Sequence, residues 1–279
     1  MAPLALLRRV EDLGPRVLSA FALIPLALGA AAAGGPWLAG AAGAAVVAMA
    51  WEWASMSEPK SPYPAFWFAL AGALGAVMLA SLGRPIAGLL WVSLVGVASA
   101  IRRRNAGPAQ LIETFAGPLY IAAPCVAFLW VRAYPSFGLV AAIGLFAVIW
   151  AADAAAYFTG RLVGGPKLLP SLSGNKTVSG LIGALIAGAA AGWAYAALVG
   201  AGGGAGALAG FVLAAIGMVG DLFESMLKRR FGVKDASQLI PGHGGVLDRL
   251  DGLMAATLTA ALALALWPDL ARQVLGSAS

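Results

Sequence analysis

The segment Asp221-Leu222-Phe223-Glu224-Ser225-Met226-Leu227-Lys228-Arg229-Arg230 is rich in ionisable groups, and the chain before it is a long run of Gly, Ala, Val, Leu and Ile. A second polar run, Ile240-Pro241-Gly242-His243-Gly244-Gly245-Val246-Leu247-Asp248-Arg249-Leu250-Asp251-Gly252, gives way at once to another apolar stretch. This alternation decides the fold class. Of the 279 residues, 61% are hydrophobic and 11% charged, whereas a soluble domain carries about a quarter charged residues. Apolar runs recur along the whole chain, so the expected fold is all-α, a polytopic transmembrane helical bundle. Ionisable residues inside or at the ends of spanning helices are costly and mark a functional site by default.

A spanning helix takes about 20 residues. On that ruler nine spans are expected, at 17–34, 36–54, 65–82, 85–101, 114–131, 136–158, 178–199, 205–226 and 246–267. Residues 1–135 then form an N-terminal set of five spans with scaffold, dimer and lipid contacts. Residues 136–279 form a catalytic set of four, with loops 159–177 and 227–245. With the N-terminus placed in the cytoplasm, 15 of the 18 Lys and Arg fall on that side, and only Arg84, Arg132 and Arg272 lie opposite. This is the positive-inside pattern. It assigns the net charge of +6 to loops facing anionic lipid, with no nucleic-acid partner. Arg8, Arg9 and Arg16 read as a cytoplasmic lead. A signal peptide ending at Ala31-Ala32-Ala33 is the weaker reading, because another span follows at once. Cys125, the one cysteine, excludes an internal disulfide.

Three polar clusters fall on the cytoplasmic side. Asp153 and Tyr157 end the sixth span four residues apart, on one helical face, followed by Gly160 and Arg161. Ser173-Gly174-Asn175-Lys176-Thr177-Val178-Ser179-Gly180 enters the seventh span. Backbone N–H groups at a helix start beside a lysine suit a phosphate, and an N-cap with an inward-facing lysine is the plainer reading. In the third cluster, Asp221, Glu224, Ser225 and Lys228 have spacings that put all four on one face of the eighth span. A charge ladder explains Glu224 with Lys228 but explains Asp221 less well, since the expected span places it inside the cytoplasmic leaflet. Arg229, Arg230 and Lys234 follow. The Gly244-Gly245 backbone can wrap an anion, and Asp248 and Asp251 share a face of the ninth span. Asp221 and Asp248, from neighbouring helices, are the expected pair for a hard cation, and Mg²⁺ takes a few carboxylates together with substrate phosphates. One His and one distant Cys do not make a zinc site. Carboxylates, basic residues and a Gly-rich loop at one membrane face match the needs of phosphoryl or nucleotidyl transfer.

The run Ser225-x-Leu227-Lys228-Arg229, Lys234-Asp235, Pro241-x-His243-Gly244-Gly245-x-x-Asp248-Arg249-x-Asp251 resembles the signature of the phosphatidate cytidylyltransferase (CDP-diacylglycerol synthase) family. Gly220-Asp221-Leu222-x-Glu224-Ser225 and Asp153-x-x-Ala156-Tyr157-x-x-Gly160-Arg161, with Gly164, fit the same family, and so does Glu52 farther upstream. The segment Ser173–Gly180 departs from it. The family loop usually reads Ser-Pro-Lys-Lys-Thr-x-Glu-Gly, and here the Pro, the first Lys and the Glu are missing.

The resemblance implies a nucleotidyltransferase in the bacterial-type cytoplasmic (inner) membrane, joining CTP and phosphatidic acid into CDP-diacylglycerol and pyrophosphate at the cytoplasmic face. On that reading Asp221 and Asp248 hold Mg²⁺. Lys228, Arg229 and Arg249 neutralise phosphates, Gly244 and Gly245 let the backbone close on the nucleotide, and His243 bonds a phosphate or locks its loop. Ser173, Lys176, Thr177 and Ser225 join the nucleotide contacts, while Asp153, Tyr157, Glu224, Lys234, Asp235 and Asp251 support the site. An accessory monovalent cation such as K⁺ and a homodimer are further implications. A CTP-dependent lipid kinase of the polyprenol or phytol type is the nearest alternative. A cation-coupled transporter is more distant, because its polar groups would gather near the midplane.

Overall fold

The computed structural model describes residues 13–240 and 244–276. Expectations that rest on Arg8, Arg9, Pro241, Gly242 and His243 lie outside the described residues. The chain folds as helices α1 (Leu13–Ala33), α2 (Gly35–Ser57), α3 (Pro62–Ser81), α4 (Pro85–Arg102), α5 (Pro108–Arg132) and α6 (Gly138–Leu162). The short strands β1 (Lys167–Leu169) and β2 (Ser173–Thr177) come next, then α7 (Val178–Leu198), α8 (Gly203–Arg230), α9 (Leu247–Leu266) and α10 (Pro268–Leu275). Helices dominate because lipid leaves no water for unpaired backbone groups, and a helix satisfies its own. Proline stands in the first turn of α2, α3, α4 and α5, where its missing N–H costs nothing.

Among the described residues eight helices, α2 to α9, are long and apolar enough to cross a membrane. Their bounds match the expected spans to within six residues, the largest difference being the start of α5 at Pro108 rather than 114. The first expected span, 17–34, falls within α1, whose described apolar portion, Phe21–Ala33, is shorter than a span. The protein is a polytopic helical membrane protein.

Helix α5 lies against α2, α3, α4, α6 and α9. Its apolar window is 56% buried, against 22% for α4 and for α7, so α5 is central and the other two present side chains such as Leu94, Ile186 and Leu198 outward. The second half is built on small residues. Helices α7 and α8 approach so closely that a Cβ on Gly210 would overlap the Gly188 carbonyl, and one on Gly192 the Gly206 carbonyl. Between apolar helices in lipid, such contact is a main source of association. Helices α8 and α9 meet the same way, with Gly217 facing Gly252 and Gly220 facing the Asp251 backbone and Ala255.

Ion pairs join the basic segments at one end of the bundle. Arg102 bonds Glu58 at 2.6 Å, Arg230 pairs with Glu113, and Lys176 pairs with Asp221. At the other end Arg132 donates to the carbonyls of Ala31 (2.5 Å) and Ala32 (3.1 Å), covering the C-terminus of α1.

Gly210→Val is expected to destabilise the fold by about 1–3 kcal/mol through overpacking. Gly29→Ala, with nothing within 4 Å of the added carbon, should be nearly neutral. Thermal unfolding in detergent compares the two.

Candidate active site

The last three turns of α8 carry Asp221, Glu224, Ser225 and Lys228 on one face. Small residues bring that face against the first turns of α9. A Cβ on Gly220 would stand 2.7 Å from the Asp251 carbonyl oxygen and 2.6 Å from Ala255 Cβ, so glycine there permits the approach. Oxygens of Asp221, Glu224 and Asp251 consequently lie within 4.8 Å of one another. Glu224 is 1% exposed, and its Oε1 is buried without a hydrogen-bond partner among the described residues. An orphaned carboxylate oxygen in such a place is costly unless a further group meets it.

Cations flank this cluster. The Lys228 ammonium donates to Glu224 Oε2 at 3.1 Å and to Asp248 Oδ1 at 2.5 Å, with all three side chains largely buried. Asp248 Oδ2 accepts from the backbone N–H of Gly245 (2.8 Å) and of Ala236 (3.0 Å). The Lys176 ammonium forms an ion pair with Asp221 at 2.6 Å, off hydrogen-bonding geometry and otherwise unbonded among the described residues. The Asp153 carboxylate is within Coulombic range of Asp221, Lys176 and Arg249.

The β1–β2 hairpin delivers Lys176. Gly164 and Gly165, with φ of 66° and 101°, turn the chain out of α6 in a conformation that favours glycine. The antiparallel strands pair Lys167 with Thr177 and Leu169 with Ser173. Thr177 then ends β2 as the N-cap of α7, its Oγ1 accepting from the Gly180 N–H at 3.1 Å. Ser179, in the first turn of α7, donates to the Gly164 carbonyl just after α6 and closes the base of the hairpin, and Arg229 Nε donates to the Leu172 carbonyl at 3.2 Å, tying its turn to α8.

The sequence profile of the cytidylyltransferase family matches residues 14–267.

The chain belongs to the cytidylyltransferase family.

Among curated proteins, the phosphatidate cytidylyltransferase of Brucella suis biovar 1 (strain 1330) is 49% identical over 142 residues, covering 50% of this chain and 53% of that protein. The one from Haemophilus influenzae (strain ATCC 51907 / DSM 11121 / KW20 / Rd) is 46% identical over 132 residues, 44% of each chain. The one from Helicobacter pylori (strain ATCC 700392 / 26695) is 38% identical over 187 residues, covering 63% of this chain and 64% of that protein. The chain spans about half the length of the first of these relatives.

In this cytidylyltransferase-family chain the fold brings together Asp221, Glu224, Asp251, Lys176, Lys228 and Asp248. The carboxylate grouped with Asp221 and Glu224 is Asp251, whereas Asp248 spends its oxygens on Lys228 and two amides. Thr177 is buried in its capping role, and Ser225 is buried on α8. Arg229 bonds the carbonyls of Leu172 and Val233. Tyr157 accepts from Arg161 at 2.5 Å on the exposed side of α6, and Lys234 and Asp235 are exposed in the loop after α8. Gly244, at φ 82°, sits where a Cβ would stand 2.9 Å from Asp248 Oδ2. Tyr120 of α5, which spacing alone does not single out, packs against Trp53 and Phe223 within Coulombic range of Glu224, Asp251, Asp221 and Asp248.

Lys228→Met would leave Glu224 and Asp248 as buried charges without their cation. The expected loss is about 3–5 kcal/mol, read as a lowered melting temperature in detergent. Adding Glu224→Gln should recover part of it, since one of the stranded charges is then removed.

Proposed function

We propose that this protein transfers CMP from CTP to phosphatidic acid, giving CDP-diacylglycerol and pyrophosphate, with Mg²⁺, at the cytoplasmic face of a bacterial inner membrane. The observation that carries the reading is the cluster of Asp221, Glu224 and Asp251 with its flanking lysines, in a chain whose relatives bear the name phosphatidate cytidylyltransferase. The placement of the site at the basic end of the bundle supports the cytoplasmic side.

The residues fit a hard divalent cation. Three carboxylates converge, all ligand atoms are oxygens, and Glu224 Oε1 has no hydrogen-bond partner among the described residues. Among the described residues, the carboxylates of Asp153, Asp221, Glu224, Asp248 and Asp251 outnumber the cations Lys176, Lys228 and Arg249 near them, so the site is acidic and suits a divalent cation. Asp221, Glu224 and Asp251 would hold the ion. Asp248, the other member of the expected pair, joins them only by giving up its bond to Lys228. Bound there, Mg²⁺ would supply charge neutralisation and Lewis acidity at the nucleotide phosphates.

The rest falls to side chains and substrates. The nucleophile is a phosphate monoester oxygen of the lipid, whose second pKa is about 6, so no protein base is needed. That oxygen bonds the α-phosphorus of CTP while the bond to the β-phosphate oxygen breaks and pyrophosphate leaves. Lys176 and Lys228, on separate elements, can each exchange a carboxylate for a phosphate oxygen, and Arg249 adds a third cation from α9. Such positioned charges are the main catalytic contribution in this kind of transfer. Ser173 and His243 complete the nucleotide contacts on this reading. The homodimer and the accessory K⁺ rest on the family resemblance.

Purified protein in detergent, given CTP, phosphatidic acid and Mg²⁺, is expected to release pyrophosphate only when the lipid is present. Asp221→Asn and Asp251→Asn should lower kcat by roughly 10²-fold or more, with melting temperatures retained. Glu113→Gln, which touches only the exposed pair with Arg230, should change it by no more than about twofold. Lipid-independent release, or full activity in both Asp variants, would refute the proposal.

A further inference from the structure

Glu52 lies in the C-terminal part of an apolar helix, in the sequence Ala50-Trp51-Glu52-Trp53-Ala54 of α2, and is 0% exposed. Its carboxylate meets no cation among the described ion pairs. Three donors surround it instead. Oε1 accepts from Ser237 Oγ at 2.6 Å and from the Val246 N–H at 2.8 Å, and Oε2 accepts from the Leu247 N–H at 2.8 Å. Two of these donors are free backbone groups at the start of α9, whose N-cap residue, Val246, has no side chain able to cap. Glu52 therefore caps α9 from another helix, and its negative charge faces the positive end of the helix dipole. Gly245 makes the approach possible, since a Cβ there would stand 2.6 Å from Glu52 Oε1.

Glu52 and Asp248 act side by side on the same two stretches of chain. Asp248 binds the N–H of Ala236 and of Gly245, and Glu52 binds the neighbouring Ser237 and Val246. The neck of the loop between α8 and α9 is thus stitched by two carboxylates, one of which also holds Lys228. Burying a carboxylate is expensive unless donors meet it, and here the three donors of the loop neck and α9 supply that compensation.

We propose that Glu52 is a positioning residue for the nucleotide site. By fixing the first turn of α9 and the loop neck, it sets where Asp248 stands and hence where Lys228 presents its ammonium. The role in catalysis rests on the cytidylyl-transfer reading above, whereas the clamp itself does not. The amide of Glu52→Gln keeps the shape but can accept on only one side, so one end of the neck is released.

Two measurements on the full-length protein test this. In hydrogen–deuterium exchange, Glu52→Gln should raise exchange in peptides covering Gly244–Leu247 and Ala236–Ser237 by roughly tenfold or more, the scale of one lost charge-assisted hydrogen bond, while α3 and α4 exchange as before. In kinetics, KM for CTP should rise by a similar factor, with KM for phosphatidate held within about twofold. Ser237→Ala, a milder cut at the same clamp, should shift both readings in the same direction by less. Unchanged exchange at the neck in both variants would overturn the clamp. Raised exchange accompanied by a fall in kcat alone, with both KM values unchanged, would make Glu52 a structural residue and overturn the positioning role. If the unsubstituted protein does not turn over CTP with phosphatidate, the functional reading fails, and the exchange result still decides whether the clamp exists.

Discussion

Lys228 stands between Glu224 on its own helix and Asp248 on the next, and much of the site depends on that bridge. It offsets two buried negative charges that neither helix could hold alone. It also joins the end of α8 to the first turn of α9, which already approach because Gly217, Gly220 and Gly252 lack side chains. Removing one partner of such a set costs more than the set contributes, because the remaining charge is left in a poor dielectric. The bridge is therefore both a structural joint and the place where an ammonium stands beside an acidic cluster.

The membrane explains why the chemistry sits where it does. Backbone inside lipid must be helical, so polar side chains can converge only at helix ends and on short connecting segments. The chain uses both. The ends of α6 and α8 and the start of α9 supply the carboxylates, and the β1–β2 hairpin reaches across to bring Lys176 onto Asp221. The opposite end is closed by Arg132 on the carbonyls that end α1, a backbone cap with no carboxylate in it.

Much of this was legible in the sequence, for physical reasons. The spans could be read because lipid demands long apolar runs, and proline marks the starts of α2 to α5 almost to the residue. The shared face of Asp221, Glu224 and Lys228 could be read because helical spacing is fixed. Whether Asp248 or Asp251 turns toward Asp221 depends on the rotation of α9 about its axis, which glycine contacts between helices decide and periodicity does not. Thr177 was open between phosphate contact and helix cap, and the local demand of the first N–H groups of α7 takes it as a cap. Glu52 shows the limit most plainly. A lone carboxylate in an apolar helix signals function, but its partners lie 185 to 195 residues away, and no local pattern names them.

On the proposed function, the acidic cluster and its lysines direct attack at the α-phosphorus of CTP. The most direct measurement follows radiolabel from CTP carrying ³²P at either the α- or the γ-phosphate into the organic-soluble products made with phosphatidic acid and Mg²⁺. The expected result is that α-label enters the lipid and γ-label leaves as pyrophosphate. Entry of γ-label into lipid, with α-label left in CDP, would show phosphoryl transfer instead and contradict it.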